Sequence, residues 1–401
     1  MLSPILLSLC GKPFSDNSIR RPYPAGHPNG VPEMEALAAV AREPHAEFTL
    51  EPITIEGPRA GEVLVQIEAV GICHTDLAAR DGALPTALPA VLGHEGCGVV
   101  RAVGDGVTKV APGDRVAITF NSCGTCPSCT AGQPSYCHQF MHLAYDGVRE
   151  DGSGPITTPT GEPLTGLFFG QSSFATYSLA FERNVVKVPD DVPAELLAPL
   201  GCGIQTGAGA VMRSLNCRPD SSVLIAGAGS VGLAAVMGAV IQGCTTIIAV
   251  EPHESRRNLA LTLGATHVID PTAGPLAEQV RAIVPSGVDY AIDTSGVPAV
   301  IESLIASMTF HGKVGLIGVP ADPAASVPLN IISSLSMGIT ITGIIEGDSV
   351  PDEFIPQLVE LYKAGRFPLD KLVTTFPFAK INDAIDAQYR GEVLKPVLVQ
   401  D

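Results

Sequence analysis

The sequence predicts an α/β protein containing a doubly wound parallel sheet. Three observations predict it. The apolar run Ser222–Ala226 passes directly into GAGSVG at 227–232 and then into an apolar stretch of helical length. A second apolar run, Thr246–Val250, follows and ends on Glu251. Strand-like and helix-like segments then alternate from about 205 to 345, which places parallel strands side by side with helices on both faces.

Each element has its own warrant. Ser222–Ala226 is a short apolar run suited to a strand buried on both faces. The following helix, 233–242, is stopped by Gly243. Further strands are expected at 265–269, 290–293 and 314–319, and helices at 276–283 and 300–308. Between the first strand and helix lies G-x-G-x-x-G. Gly227 permits the tight turn, Gly229 lets a pyrophosphate approach the backbone, and Gly232 lets helix and strand pack closely. Ser230 and Val231 lie at the helix N-terminus, whose free N–H groups and partial positive charge suit a phosphate. Glu251, 19 residues after Gly232, can accept hydrogen bonds from both ribose hydroxyls of NAD and would repel the 2′-phosphate of NADP. Arg256 and Arg257 weaken that preference without reversing it, so NAD is favoured.

The chain-wide numbers bound the rest. At about 150 residues per domain, 401 residues suggest two or three domains. The chain is 46% hydrophobic and 16% charged, which excludes wholesale disorder. Its 42 Gly and 34 Pro imply many turns. A formal charge of −17 would repel phosphate backbones, so nucleic acid is not an expected partner. The first ten residues, MLSPILLSLC, make a poor signal peptide, with no preceding Lys or Arg and Pro4 inside the run. Pro, Gly and Asn cluster over 12–32, and Met34 opens a compact pattern that reads like a natural start. Residues 1–33 therefore read as a loosely attached N-terminal extension, or as a start codon assigned too early. The 19 apolar residues 223–241 are long enough for a membrane span, but their glycines divide them into a strand and a helix. No membrane association is expected.

The ten cysteines are unevenly spread. Cys123, Cys126, Cys129 and Cys137 form C-x2-C-x2-C-x7-C in a loop rich in Gly and Pro. Four thiolates close a tetrahedral shell around Zn²⁺ and leave no open position, so this site would be structural. An iron–sulfur cluster or disulfides are the competing readings, and zinc is favoured by the spacing. Three further candidates are Cys73 in GICHTDL, His94 with Glu95 in LGHEGCG, and Cys202 in PLGCGIQTG. Cys, His and a distant Cys make a Cys2His set with a fourth position left for water or substrate. Taken singly, a buried Cys or His is more often packing than a ligand. Cys10, Cys97, Cys217 and Cys244 read as packing or surface thiols.

With these motifs in this order, the sequence from about Met34 to Asp401 resembles the zinc-dependent medium-chain alcohol dehydrogenases. Within that family, IEGDSVPDEFIPQL (345–358) and RFPLDKLVTTFPFAKINDA (366–384) look similar to the aryl-alcohol (benzyl alcohol) dehydrogenase branch. The resemblance implies a GroES-like, β-rich catalytic domain from 34–204 plus 346–401, with a Rossmann domain at 205–345 between its two parts. It implies two zinc ions per chain, NAD, a small-molecule alcohol or aldehyde, and a homo-oligomer (dimer or tetramer); reduced thiolates as ligands favour a cytoplasmic setting.

It also implies roles. Cys73, His94 and Cys202 would hold a catalytic zinc that acts on the alcohol oxygen as a Lewis acid while hydride passes to the nicotinamide. Glu95 would sit beside the metal, or be a buried charge paired with a base. Thr75 would take the alcohol's hydrogen bond, although Thr at a helix start is also an ordinary cap. Asp76 would orient His94. His74 and Lys395 match positions near the cofactor phosphates, Lys395 being a better candidate than Arg390, and Thr206 matches one near the nicotinamide. One departure stands out: Ala78 replaces the proton-shuttling His of many relatives, so the proton must leave by the ribose, water or another group. Phe120, Phe140, Met141, Ile317 and Ile344 are candidate pocket walls, Ile317 also bordering the cofactor, and Glu346 has no assigned role. The expected activity is hydride transfer between a primary, aromatic or allylic alcohol and NAD. The alternatives are a glutathione-dependent formaldehyde dehydrogenase, a reductase of activated C=C bonds, and a noncatalytic zinc-binding protein.

Overall fold

The computed structural model describes residues 33–400, so the expected N-terminal extension and Cys10 lie outside the described residues. Among the described residues the strands form three sheets. Six parallel strands make the doubly wound sheet, in the order His267–Ile269, Thr246–Val250, Ser222–Ala226, Val288–Asp293, Met308–Leu316, Thr340–Gly343. The central strand Ser222–Ala226 is buried throughout, as its unbroken apolar character requires. The 223–241 stretch resolves into this strand and the helix Ser230–Gln242, and no described helix is long and apolar enough to cross a membrane.

Most expected elements appear with shifted ends. The helix Leu276–Ile283 is where its amphipathic pattern puts it. The helix expected at 300–308 is Pro298–Ala306, because Pro298 suits the first helical position and Met308 already belongs to the next strand. The strand expected at 314–319 runs instead over Met308–Leu316. Its start was hidden by polar His311 and Lys313, which are exposed there. Its last ladder bond runs from the Ile317 N–H to the Asp293 carbonyl at 2.9 Å, and the strand stops there because the next amide, Gly318, folds onto the same carbonyl at 3.1 Å.

The other two sheets are largely antiparallel. One has the order Val185–Lys187, Arg115–Ile118, Gly96–Val103, Glu62–Gly71, Lys395–Val399, Val373–Pro377, with Tyr177–Phe181 also paired to Glu62–Gly71. The C-terminal strand thus returns to the N-terminal half, Val397 opposite Gly71 and Leu398 opposite Val70. The third sheet contains Met34–Ala41 and Thr49–Ile55. One core joins both halves, running from Ala69, Ala117 and Leu197 through Val211 and Leu233 to Phe354 and Val397. Cys97, Cys217 and Cys244 are buried within it as packing groups. Phe354 is fully buried, and a side chain of that size contributes about 1.5–3 kcal/mol by leaving water.

Candidate active site

The ligand-bearing cluster grows from the end of strand Glu62–Gly71. Cys73 caps helix His74–Arg80, and the buried Asp76 carboxylate accepts the Cys73 N–H at 2.9 Å. The other Asp76 oxygen accepts the Gly93 N–H at 3.0 Å and sits 2.7 Å from His94 Nδ1. Asp76 thereby joins two chain segments and fixes the imidazole. The ring stacks on Phe169, with centroids 4.6 Å apart, and meets Phe168 edge-on at 5.6 Å. His94 Nε2 is buried and has no hydrogen-bond partner among the described residues. A buried imidazole nitrogen with no partner is costly unless it serves a ligand. Gln171 holds the backbone here, accepting the Gly96 N–H at 3.1 Å and donating to the His94 carbonyl at 2.9 Å.

Cys202 enters at the start of helix Gly203–Gly209. One ligand atom each from Cys73, His94, Glu95 and Cys202 lies within 4.8 Å of the others. Two sulfurs and a free imidazole nitrogen match the Cys2His donor set, so these residues fit a zinc ion. Thr75 is the second residue of its helix, not the cap, and its hydroxyl oxygen is 3.7 Å from Cys73 Sγ. His74 is exposed beside it.

Glu95 and Lys395 are both buried. Lys395 Nζ lies 2.8 Å from each Glu95 carboxylate oxygen and 3.2 Å from the Ile72 carbonyl. Burial pushes the Glu95 carboxyl above its usual range. For Lys395 burial acts downward, but the Glu95 carboxylate outweighs it, and the ammonium is held charged. Gly71 makes room: a Cβ there would lie 2.0 Å from Glu95 Oε2. Lys395, expected near a cofactor phosphate, is directed at Glu95 and the Ile72 carbonyl in the structure. An ammonium has three N–H donors, and all three have partners inside the protein. Arg390 is exposed and paired with Glu392 at 2.7 Å.

Glu346 also faces this cluster. Its Oε2 is 3.2 Å from Gln205 Nε2 and 3.4 Å from Thr206 Oγ1, and burial pushes its carboxyl up to about 7. Thr206 is buried and donates to the Cys202 carbonyl at 2.8 Å. Gln205 further donates to the Gly201 carbonyl at 2.7 Å and to Thr119 Oγ1 at 2.8 Å. Aromatic rings wall the cluster: Phe140 approaches Phe120 at 6.4 Å and Phe169 at 6.0 Å, and Tyr145 approaches Phe169 at 5.5 Å. Ile344 is buried, whereas Met141 is 59% exposed and is a poor wall.

The four-cysteine lobe is compact. Ligand atoms of Cys123, Cys126, Cys129 and Cys137 lie within 4.8 Å of one another, and all four thiols are unbridged. Backbone N–H groups point at the sulfurs, from Cys126 to Cys123 Sγ and from Cys123 to Cys137 Sγ at 3.3 Å each. Such donors suit anionic sulfur, so this lobe also fits a metal ion.

The glycine-rich turn forms a cradle at the carboxyl edge of the parallel sheet. Gly227 takes φ +96°, which an L side chain rarely adopts, and a Cβ on Gly232 would lie 1.9 Å from the Gly227 carbonyl oxygen. A Cβ on Gly229 would meet nothing within 4 Å, which leaves space above the turn. Ser230 and Val231 open the following helix. Buried Glu251 accepts the Ala228 N–H at 2.9 Å and the His253 N–H at 3.1 Å. Burial opposes its charge, but these donors prevail and its pKa falls. Arg257 bonds the Glu251 carbonyl at 2.8 Å, and the half-buried Arg256 leaves Nε without a partner among the described residues. Ile317 is half-buried, just beyond strand Met308–Leu316. The turn, the free helix start and the acid fit a dinucleotide.

Sequence reasoning missed Gln171, Gln205, Tyr145 and His253. A lone Gln, Tyr or His carries no spacing signal. Lys395 had one: a single charge inside the apolar strand KPVLV implies a buried partner.

Residues 59–190 match the family model described as alcohol dehydrogenase GroES-like domain, and residues 230–364 the one described as zinc-binding dehydrogenase. A geraniol dehydrogenase of Castellaniella defragrans is 47% identical over 91% of this chain and 98% of its own. The benzyl alcohol dehydrogenase structure from Acinetobacter calcoaceticus superposes with TM-score 0.89 at 41% identity, over 92% of this chain and 100% of that one. An alcohol dehydrogenase zinc-binding domain protein from Burkholderia ambifaria gives TM-score 0.90 at 49% identity, over 92% and 99%. The motifs, the fold and these matches agree: the chain belongs to the zinc-dependent medium-chain alcohol dehydrogenase family.

Proposed function

We propose that this enzyme interconverts primary allylic or aromatic alcohols and their aldehydes, with NAD as the nicotinamide partner and two zinc ions per chain. The observation that carries the reading is the convergence of Cys73, His94 and Cys202 beneath a wall of aromatic rings. Flat unsaturated substrates pack well against such rings. The named substrates of the two relatives, geraniol and benzyl alcohol, both carry the carbinol beside an unsaturated carbon.

Cys73, His94 and Cys202 would hold the catalytic zinc, and the four-cysteine lobe would hold the structural one. When bound, zinc supplies a Lewis acid for the alcohol oxygen, and the nicotinamide supplies the hydride acceptor. Asp76 keeps the proton on His94 Nδ1 and so leaves Nε2 as an electron-pair donor. The Thr75 hydroxyl would take the alcohol's hydrogen bond and begin the proton relay, and Ala78 leaves the onward path to ribose or water. The aromatic wall would limit water at the reacting carbon. The ionised Glu251 favours NAD over NADP by repelling a 2′-phosphate. Unbridged thiols as ligands support a cytoplasmic setting.

A homo-oligomer is part of the proposal. Strand Thr340–Gly343 ends the parallel sheet, and Phe310, Ile331, Ile332 and Leu335 lie exposed nearby. An open strand edge with apolar flanks invites pairing, and a twofold copy supplies the same surface.

The test is a panel of benzyl, cinnamyl, short aliphatic and secondary alcohols with NAD and NADP, with and without glutathione, beside metal analysis. Highest kcat/KM for benzyl or cinnamyl alcohol with NAD, at two zinc per chain, is the expected result. A requirement for glutathione points to the formaldehyde dehydrogenase alternative. No oxidation of any alcohol by the two-zinc protein overturns the reading.

A further inference from the structure

The turn that carries Glu346 is an unusual piece of backbone. Glu346, Gly347 and Asp348 have φ of 52°, 66° and 50° in succession. Two of the three are not glycine, and such residues stay left-handed only where their surroundings over-determine them. Two clamps are visible.

The first is the helix that begins after Cys202. Gly347 lies flush on it, since a Cβ there would come within 2.4 Å of the Gln205 carbonyl oxygen and 2.9 Å of Gly209 Cα. Gln205 reaches Glu346 at 3.2 Å and accepts the Ser349 hydroxyl at 2.9 Å. The second clamp comes from the four-cysteine lobe. Tyr136, the residue before Cys137, places its hydroxyl 2.7 Å from Asp348 Oδ1 and 2.8 Å from the Gly343 carbonyl. The two acceptors bracket the Glu346 turn. A phenol, with an ordinary pKa of about 10, is protonated at neutral pH and donates.

We infer that Tyr136 is a positioning residue for the catalytic cluster: through its hydroxyl the four-cysteine lobe holds the turn that seats Glu346 against the Cys202-bearing helix. The lobe then acts on the reaction as well as on local stability. Cys137 fixes the backbone next to Tyr136, so ligation of the lobe sets the reach of the hydroxyl. The kinetic consequence rests on the proposed alcohol oxidation, whereas the structural one does not.

The test uses the full-length enzyme, with both metals loaded in the wild type and in Tyr136→Phe. Tyr136→Phe removes only the hydroxyl. Amide hydrogen exchange over 345–349 should rise about tenfold, as expected when a hydrogen bond to a charged acceptor is lost. Two zinc per chain should remain, and kcat for benzyl alcohol should fall about three- to tenfold with KM within about twofold. Cys126→Ser, which empties the lobe, should raise the same exchange, and adding Tyr136→Phe to it should change nothing further. Unchanged exchange over 345–349 in Tyr136→Phe overturns the inference, as does full additivity in the double variant. If Cys126→Ser does not fold, the exchange and the split between kcat and KM in Tyr136→Phe decide alone. A wild-type enzyme inactive on every alcohol would defeat the proposed function, and the exchange result would still decide this coupling.

Discussion

Lys395 and Glu95 form a buried ion pair at 2.8 Å, directly beside the ligand atoms of Cys73, His94 and Cys202. The pair joins the last strand of the chain to the loop that carries His94. Gly71 leaves the space it occupies, and the Ile72 carbonyl takes the remaining ammonium proton. A buried pair of this kind adds little net stability when complete, yet breaking it strands a charge.

Lys395→Met should therefore destabilise the protein by about 3–5 kcal/mol, measured by denaturant unfolding of the metal-loaded enzyme. Adding Glu95→Gln should recover much of the loss, because no uncompensated carboxylate remains. A phosphate-binding role would instead show as weakened NADH binding with stability unchanged.

Cys202→Ala should lose one zinc per chain and alcohol turnover together, while the four-cysteine lobe keeps its metal. Metal analysis and steady-state kinetics on the same sample check this. Retained turnover would contradict the assignment of Cys202 to the catalytic site.

Glu251→Ala should narrow the preference for NAD. The lost carboxylate removes repulsion of the 2′-phosphate, and the ratio of kcat/KM for NAD over NADP should fall by about tenfold or more, equivalent to about 1.4 kcal/mol. An unchanged ratio would show that Glu251 serves only the Ala228 and His253 amides it already caps.

Leu335→Glu should shift the protein toward monomer in light scattering at micromolar concentration. Leu335 is 81% exposed on helix Ile331–Met337, next to the open sheet edge, and a charge there opposes apolar burial between copies. An unchanged mass would place the oligomer contact elsewhere.

Much of the fold was legible in the sequence. The strand Ser222–Ala226, the glycine turn and the helix through Gln242 are contiguous, and each obeys a local rule of periodicity or backbone sterics. The ends of the strand Met308–Leu316 were not legible, because polar His311 and Lys313 mask its start and the fold of the Gly318 amide onto the Asp293 carbonyl, not composition, stops it. At the site, Cys73 to Asp76 read as a helix start, the resemblance implied that Asp76 orients His94, and the structure adds that the same carboxylate holds the Cys73 and Gly93 amides.

By itself the sequence determined the family, the doubly wound parallel sheet and the candidate metal ligands, because these rest on short-range spacing or on motifs in a set order. Only the tertiary structure decided the partners of isolated polar residues. Lys395 meets Glu95 across 300 residues, Tyr136 meets Asp348 across 212, and Gln205 meets Glu346 across 141. No periodicity announces such pairs. They form because a buried charge or hydroxyl must find a partner wherever the packed chain brings one, and that geometry exists only after the sheets have closed.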